Sequence, residues 1–78
     1  MTPEALRVLQ ALEWSERTAL SATLPIRRIA KATLGGNDEL AAKVLADLDL
    51  EGCVHTSMMG WIDGCLTSKG RALSVSDQ

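Results

Sequence analysis

Apolar residues recur with the period of an α-helix at the start of the chain, at Ala5, Leu6, Leu9 and Leu12. Pro3 suits a first helical turn, and the carboxylate of Glu4 complements the positive end of the helix dipole. The pattern therefore predicts a first helix over residues 3–15. Residues 16–24 leave two alternatives open, a continuation of this helix or a loop followed by a short strand.

The helical period returns twice before Gly52. A second apolar stripe consists of Ile26, Ile29, Ala30 and Leu34. It predicts a short helix over residues 25–33 that stops at Gly35 and Gly36. Asn37 is a favourable N-cap, so a third helix is expected from there to about Glu51. The apolar positions of this third helix are Leu40, Ala41, Val44, Leu45 and Leu48.

After Gly52 the pattern becomes typical of strands. Residues 53–58 and 61–66 predict two strands, and Met59 and Gly60 between them predict the turn of a β-hairpin. Thr67 can cap a last short turn through Leu73, and residues 74–78 are expected to fray. The chain has 78 residues, enough for a single domain over 1–78. The expected fold is therefore α+β, with three helices and a hairpin.

Composition adds a constraint on partners. The net charge is −2 at pH 7, whereas nucleic-acid-binding domains are usually basic on at least one face. No apolar run is long enough to span a membrane. The N-terminal residues lack the basic and apolar regions of a signal peptide. We therefore expect a cytoplasmic protein.

Three segments, in this order, resemble bacterial winged helix-turn-helix regulators. Leu24–Gly35 is similar to the second helix and turn of IclR-type and MarR-type regulators. Val44–Val54 is similar to the end of their third helix, where a leucine, an acidic residue and a glycine lead into the wing. Leu66–Leu73 resembles the Leu-Thr-x-x-Gly-Arg segment that closes the wing in MarR and PadR types. The resemblance implies a winged helix-turn-helix that regulates transcription, with its third helix in the DNA major groove.

The predicted DNA-binding residues are all basic: Arg27, Arg28, Lys31, Lys43, Lys69 and Arg71. Arg27, Arg28 and Lys31 share one face of the second helix, and the fold could bring Lys69 and Arg71 near them. Such a face would contact phosphates. The alternative is an ordinary solvated helix face, which short helices commonly show.

A protein-interaction module is the second functional hypothesis. The exposed positions of the third helix are mostly acidic, and carboxylates oppose phosphate binding. Asp47 and Glu51 would instead meet a basic surface of a partner protein, as in an adaptor or inhibitor. Met58, Met59 and Trp61 at the wing tip would form an apolar contact, with a partner or in a homodimer. The alternative for these three side chains is that they fold back onto the core.

The hairpin also concentrates residues that can bind metals. Cys53, His55, Asp63 and Cys65 share one strand face if the loop has three residues. Their spacing matches no standard zinc signature, so we expect reduced, free thiols and neither metal nor cofactor. A single histidine and the lack of a glycine-rich phosphate loop predict that the protein is not an enzyme.

Overall fold

The computed structural model describes residues 2–20, 23–56 and 62–75. The elements are α1 (Pro3–Ala19), α2 (Ile26–Thr33), α3 (Asp38–Leu50), β1 (Val54–His55), β2 (Cys65–Leu66) and α4 (Ser68–Val75). This confirms an α+β fold with an antiparallel hairpin. The described part of the chain has four helices rather than the three expected, because the short turn predicted after Thr67 is a helix.

Helix α1 is longer than its apolar pattern predicts. The Thr2 hydroxyl accepts a hydrogen bond from the Ala5 amide at 3.2 Å and caps the start of the helix. The helix continues past the predicted end at Ser15 to Ala19, and Leu20 then takes a left-handed conformation with φ 54°. The added turn is polar and largely exposed, so it carries no apolar period from which to predict it.

Both alternatives for residues 16–24 are partly realised. The helix continues to Ala19, and Leu24 further along forms an isolated antiparallel bridge with Gly64. The amide of Leu24 donates to the Gly64 carbonyl at 2.7 Å, and the amide of Gly64 donates back at 2.9 Å. The segment before α2 is therefore joined to the hairpin.

The turn between α2 and α3 follows the local signals in the sequence. Gly35 and Gly36 both have positive φ, 71° and 85°, and the Gly36 amide donates to the Lys31 carbonyl at 2.8 Å. The Asn37 side chain accepts from the Leu40 amide at 3.1 Å, which confirms the predicted N-cap. α2 and α3 are thus joined by a short, glycine-defined turn.

The described paired part of the hairpin is shorter than the predicted strands. Val54 pairs with Leu66 and His55 with Cys65. The prediction that the first strand begins at Cys53 is wrong, because the Cys53 amide donates to the Leu48 carbonyl at 2.8 Å and closes the end of α3. The predicted turn at residues 59–60 lies outside the described residues.

Helix α4 packs tightly against the start of the hairpin. The Gly70 amide donates to the Thr67 hydroxyl at 3.1 Å, so Thr67 caps this helix as predicted. A side chain at Gly70 would run into the backbone carbonyl of Cys53. Ser74 is helical and only 5% exposed. The expected fraying is therefore wrong for residues 74–75, while residues 76–78 lie outside the description.

One apolar core joins these elements. Its fully buried large side chains come from α1, the bridge segment, α2, α3 and the start of the hairpin: Val8, Leu9, Leu12, Leu24, Ile26, Leu45, Leu48 and Cys53. In the ranges described, every helix is too short or too polar to cross a bilayer. The cytoplasmic location expected from the sequence stays a prediction.

Candidate nucleic-acid interface

The basic face of α2 lines an open groove. Pro25, Arg27, Arg28, Lys31 and Ile62 surround this space of about 410 Å³, which we call the α2 groove. Ile62 reaches it from the hairpin side, where its carbonyl accepts a hydrogen bond from the Arg27 amide at 3.4 Å. The predicted basic cluster of α2 therefore faces one site. The contributions of Pro25 and Ile62 were not predicted from the sequence.

Arg27 connects the starts of α2 and α3. Its Nε lies 3.1 Å from Oδ1 of Asp38, and its Nη2 lies 2.7 Å from Oδ2, so the ion pair is bidentate. The hydrogen bond from Arg27 holds the pKa of Asp38 below its ordinary value, and Lys31 contributes a smaller lowering of that pKa. The same pair raises the pKa of Arg27. Much of the charge on Arg27 is thus compensated within the chain.

Arg28 and Lys31 are the available cations of the α2 groove. Both residues are exposed. Neither forms an ion pair with a carboxylate in the described part of the chain. Their charges can therefore meet an external anion without breaking an internal salt bridge.

The other predicted DNA-binding residues do not line the α2 groove. Lys43 lies on α3, with its Nζ 3.8 Å from Oδ2 of Asp47. Lys69 donates from Nζ to the Glu51 backbone carbonyl at 2.8 Å, at the end of α3. These lysines interact with the acidic side of α3 rather than extending the basic surface of α2.

Arg71 is also engaged within the chain. Its Nε lies 2.7 Å from Oε1 of Glu16, and its Nη2 lies 3.0 Å from Oε2. This hydrogen bonding lowers the pKa of Glu16. Glu16 was not predicted as a partner, because the two residues are far apart in sequence and only the packing of α4 on α1 brings them together.

The C-terminal end of α3 presents a different surface. Leu50 is 88% exposed, and Asp47 and Glu51 beside it are exposed as well. With Thr2, Ala5 and Leu48 these residues line a notch of about 220 Å³. Leu50 was not predicted from the sequence. Its position two residues after Leu48 was a usable signal, because residues two apart point to different sides of a helix.

The described hairpin residues that can bind metals lie in different environments. Cys53 is buried, whereas His55 on β1 is exposed and pairs with Cys65 on β2. Among the residues described, no group of three or more histidine, cysteine, aspartate or glutamate side chains could hold a metal ion. Both cysteines are free, and burial raises the pKa of the Cys53 thiol. The prediction that the protein is not an enzyme remains untested.

Met58, Met59 and Trp61, the predicted wing-tip contact, lie outside the described residues. The described surface has two regions of opposite charge. One is the basic groove on α2, and the other is the acidic, partly apolar end of α3. The first can bind phosphate or carboxylate, and the second can bind a cationic surface.

The chain matches no protein-family model, no curated protein and no solved structure.

Proposed function

We propose that this chain is a winged helix-turn-helix module that binds DNA, and that it acts in transcription regulation. Two features support the winged-helix assignment. The glycine turn places α2 and α3 in succession, and the hairpin follows α3 directly. The bridge between Leu24 and Gly64 adds a further strand position in front of α2. The first two segments that resemble bacterial regulators lie on these elements, and the third, Leu66–Leu73, runs from the end of β2 into α4.

The observation that carries the DNA-binding proposal is the α2 groove. It gathers Arg27, Arg28 and Lys31 around one open space, and the last two have no internal salt bridge in the described structure. Phosphate contacts made by arginine and lysine supply most of the non-specific affinity for DNA. The groove is thus a suitable phosphate-binding surface.

In this proposal α3 is a poor main contact with the duplex. Asp38 and Glu39 begin it, and Asp47 and Glu51 follow at its far end. Each carboxylate near a phosphate weakens binding. The contacts would come from α2, with about two or three phosphates neutralised, and we expect a slope of log affinity against log salt of about −2 to −3 for each domain.

Fluorescence anisotropy with mixed-sequence duplex DNA at low salt tests this function. Arg28→Ala should weaken binding to all sequences alike and make the salt slope shallower by about 1. Arg7→Ala is the matched control, because Arg7 is an exposed arginine of α1 outside the α2 groove. Its slope should equal that of the parent. Parent protein that fails to bind at tens of micromolar, within the usual non-specific range, would reject DNA binding.

A protein-interaction module is the second candidate function. The observation that favours it is Leu50, a large apolar side chain that is 88% exposed near the exposed carboxylates of Asp47 and Glu51. Replacing both carboxylates, by Asp47→Asn with Glu51→Gln, separates the candidates. The double change should tighten DNA binding if α3 lies near the duplex, because two repelling charges are removed. It should weaken binding to a basic protein partner, because charge complementarity is lost.

A further inference from the structure

Two surfaces on this chain complement each other. The first, which we call the α3 knob, consists of the exposed side chain of Leu50 together with the nearby carboxylates of Asp47 and Glu51 at the end of α3. The second is the α2 groove, which combines cations with two apolar residues. Ile62 in that groove is 52% exposed. One surface is thus apolar and negative, and the other is apolar and positive.

We propose that the chain associates head to tail with a second copy of itself, with the α3 knob of one copy in the α2 groove of the next. Leu50 would pack against Pro25 and Ile62 of the neighbouring copy and would no longer be exposed to water. The carboxylates beside Leu50 would meet the cations of the groove. Removal of apolar surface from water supplies the attraction, and the charges set the orientation.

The charges of the α3 knob are available for such a contact. The ion pair between Lys43 and Asp47 is long, at 3.8 Å, and its two side chains are 75% and 62% exposed. An exposed pair of this kind contributes little, so Asp47 can exchange partners at small cost. The last turn of α3 contains no basic residue, but Lys69 already donates from Nζ to the Glu51 carbonyl, so the carboxylates of Asp47 and Glu51 rather than the helix dipole supply the attraction for a second cation.

The groove side is equally available. Arg28 and Lys31 are exposed and form no internal ion pair in the described structure. The same chain therefore supplies both the unpaired cations and the exposed carboxylates. This complementarity, together with an exposed aliphatic side chain on each surface, selects a second copy as the occupant of the groove.

The contact is small, so the association is expected to be weak and dependent on salt. Interfaces below the standard size belong to transient encounters, and we expect a dissociation constant of about 100 µM at low salt. Exposed charges are screened over about 8 Å at physiological ionic strength, so added salt should weaken the association. Because knob and groove are different surfaces, each copy can accept one neighbour and bind another.

Self-association would also cover the α2 groove. A competition with DNA follows from this and rests on the proposed DNA-binding function, since the same cations would contact phosphate. Duplex DNA and a second copy would then compete for the groove. The association itself requires no DNA and is measured without it.

Sedimentation velocity over a concentration series tests the proposal with two charge-reversed proteins. Arg28→Glu with Lys31→Glu reverses two charges of the groove and leaves the knob intact. Asp47→Lys with Glu51→Lys reverses the two charges of the knob and leaves the groove intact. The dissociation constant for self-association of each variant alone should be at least tenfold higher than that of the parent. All four residues are exposed, so both variants should fold, and far-UV circular dichroism of each variant is the measurement that checks this.

Mixing the two variants gives the decisive result. An intact knob and an intact groove remain in the mixture, on different molecules, and the reversed knob of one variant also complements the reversed groove of the other. The mixture should therefore regain the association that each variant alone has lost. Arg7→Glu is the matched control, because it reverses an exposed arginine outside both surfaces, and it should associate like the parent. Adding duplex DNA to the parent should dissociate the copies from one another.

Several outcomes would overturn the proposal. A parent that stays monomeric to about 1 mM at low salt excludes an association of the expected strength. Variants that associate like the parent, or a mixture that stays monomeric, would show that the two surfaces do not meet. If those variants associate normally and Trp61→Ser is monomeric, the wing is the interface and the proposal is wrong. Association that survives while DNA neither binds nor competes would reject the DNA-binding function alone.

Discussion

Helix α4 lies close to the segment that follows α3 at Gly70. A Cβ built there would meet the carbonyl oxygen of Cys53, lie 3.0 Å from its carbonyl carbon, and lie 3.1 Å from Cδ2 of Leu66. The Cys53 atoms belong to the backbone and cannot rotate away. Gly70→Ala must therefore move α4 or the segment that follows α3.

Two opposing effects determine the size of the change. Alanine has the higher helix propensity, which favours the variant by about 1 kcal/mol at most. Forcing a methyl group into a packed site costs about 1–3 kcal/mol. Moving the Cys53 carbonyl also strains its hydrogen bond from the Thr67 amide, now 3.1 Å long, and a lost bond costs about 1 kcal/mol. We expect Gly70→Ala to destabilise the fold by about 1–3 kcal/mol.

Urea unfolding followed by far-UV circular dichroism measures this loss. Ala72→Gly is the matched control, because Ala72 is exposed in the same helix and its replacement reports helix propensity without the backbone clash. It should cost about 1 kcal/mol or less. If Gly70→Ala were as stable as the parent while Ala72→Gly lost stability, α4 could not lie against the Cys53 carbonyl.

Three further predictions concern stability and chemistry. Leu48→Ala should cost about 2–5 kcal/mol, because Leu48 is 1% exposed in the core; a thermal melt like that of the parent would contradict its burial. Arg71 lowers the pKa of Glu16, so the stabilisation by this pair is present above the ordinary glutamate pKa and is lost as the pH falls through the lowered value. The Tm difference between the parent and Glu16→Gln should accordingly shrink below about pH 4, whereas a constant difference would contradict a lowered pKa. In the folded protein iodoacetamide should modify Cys65 before the buried Cys53, whose pKa is raised, and mass spectrometry of digests would show the reverse order if this is wrong.

The features that the sequence predicted correctly are those with local causes. Asn37 bonds an amide three residues away, and Thr67 caps α4 in the same manner. Gly35, directly after the C-cap of α2, ends this helix through a positive φ that glycine adopts without strain. Such signals depend only on a few neighbouring residues, so they can be recognised in the sequence without knowledge of the tertiary fold.

The features that could not be predicted from the sequence depend on contacts between distant parts of the chain. Ser74 is helical and buried because α4 packs on the core, although its own sequence predicts a frayed tail. Arg71 was assigned to DNA, but α1 supplies Glu16 as its partner. In the candidate site, the shared face of Arg27, Arg28 and Lys31 follows from helical spacing. Ile62 lines the α2 groove because the hairpin lies beside α2, and no local sequence pattern predicts this arrangement.

The bridge between Leu24 and Gly64 has a consequence for the order of folding. About half of the chain lies between these two residues, so forming the bridge closes a long loop and has a large entropic cost. α1, α2 and α3 make contacts between successive elements, and such contacts form fast. We therefore expect the helices to assemble first and the bridge to form late, with the Leu24 and Gly64 amides gaining protection from hydrogen exchange at the same time. Mutations at this bridge should accelerate unfolding and leave the folding rate nearly unchanged.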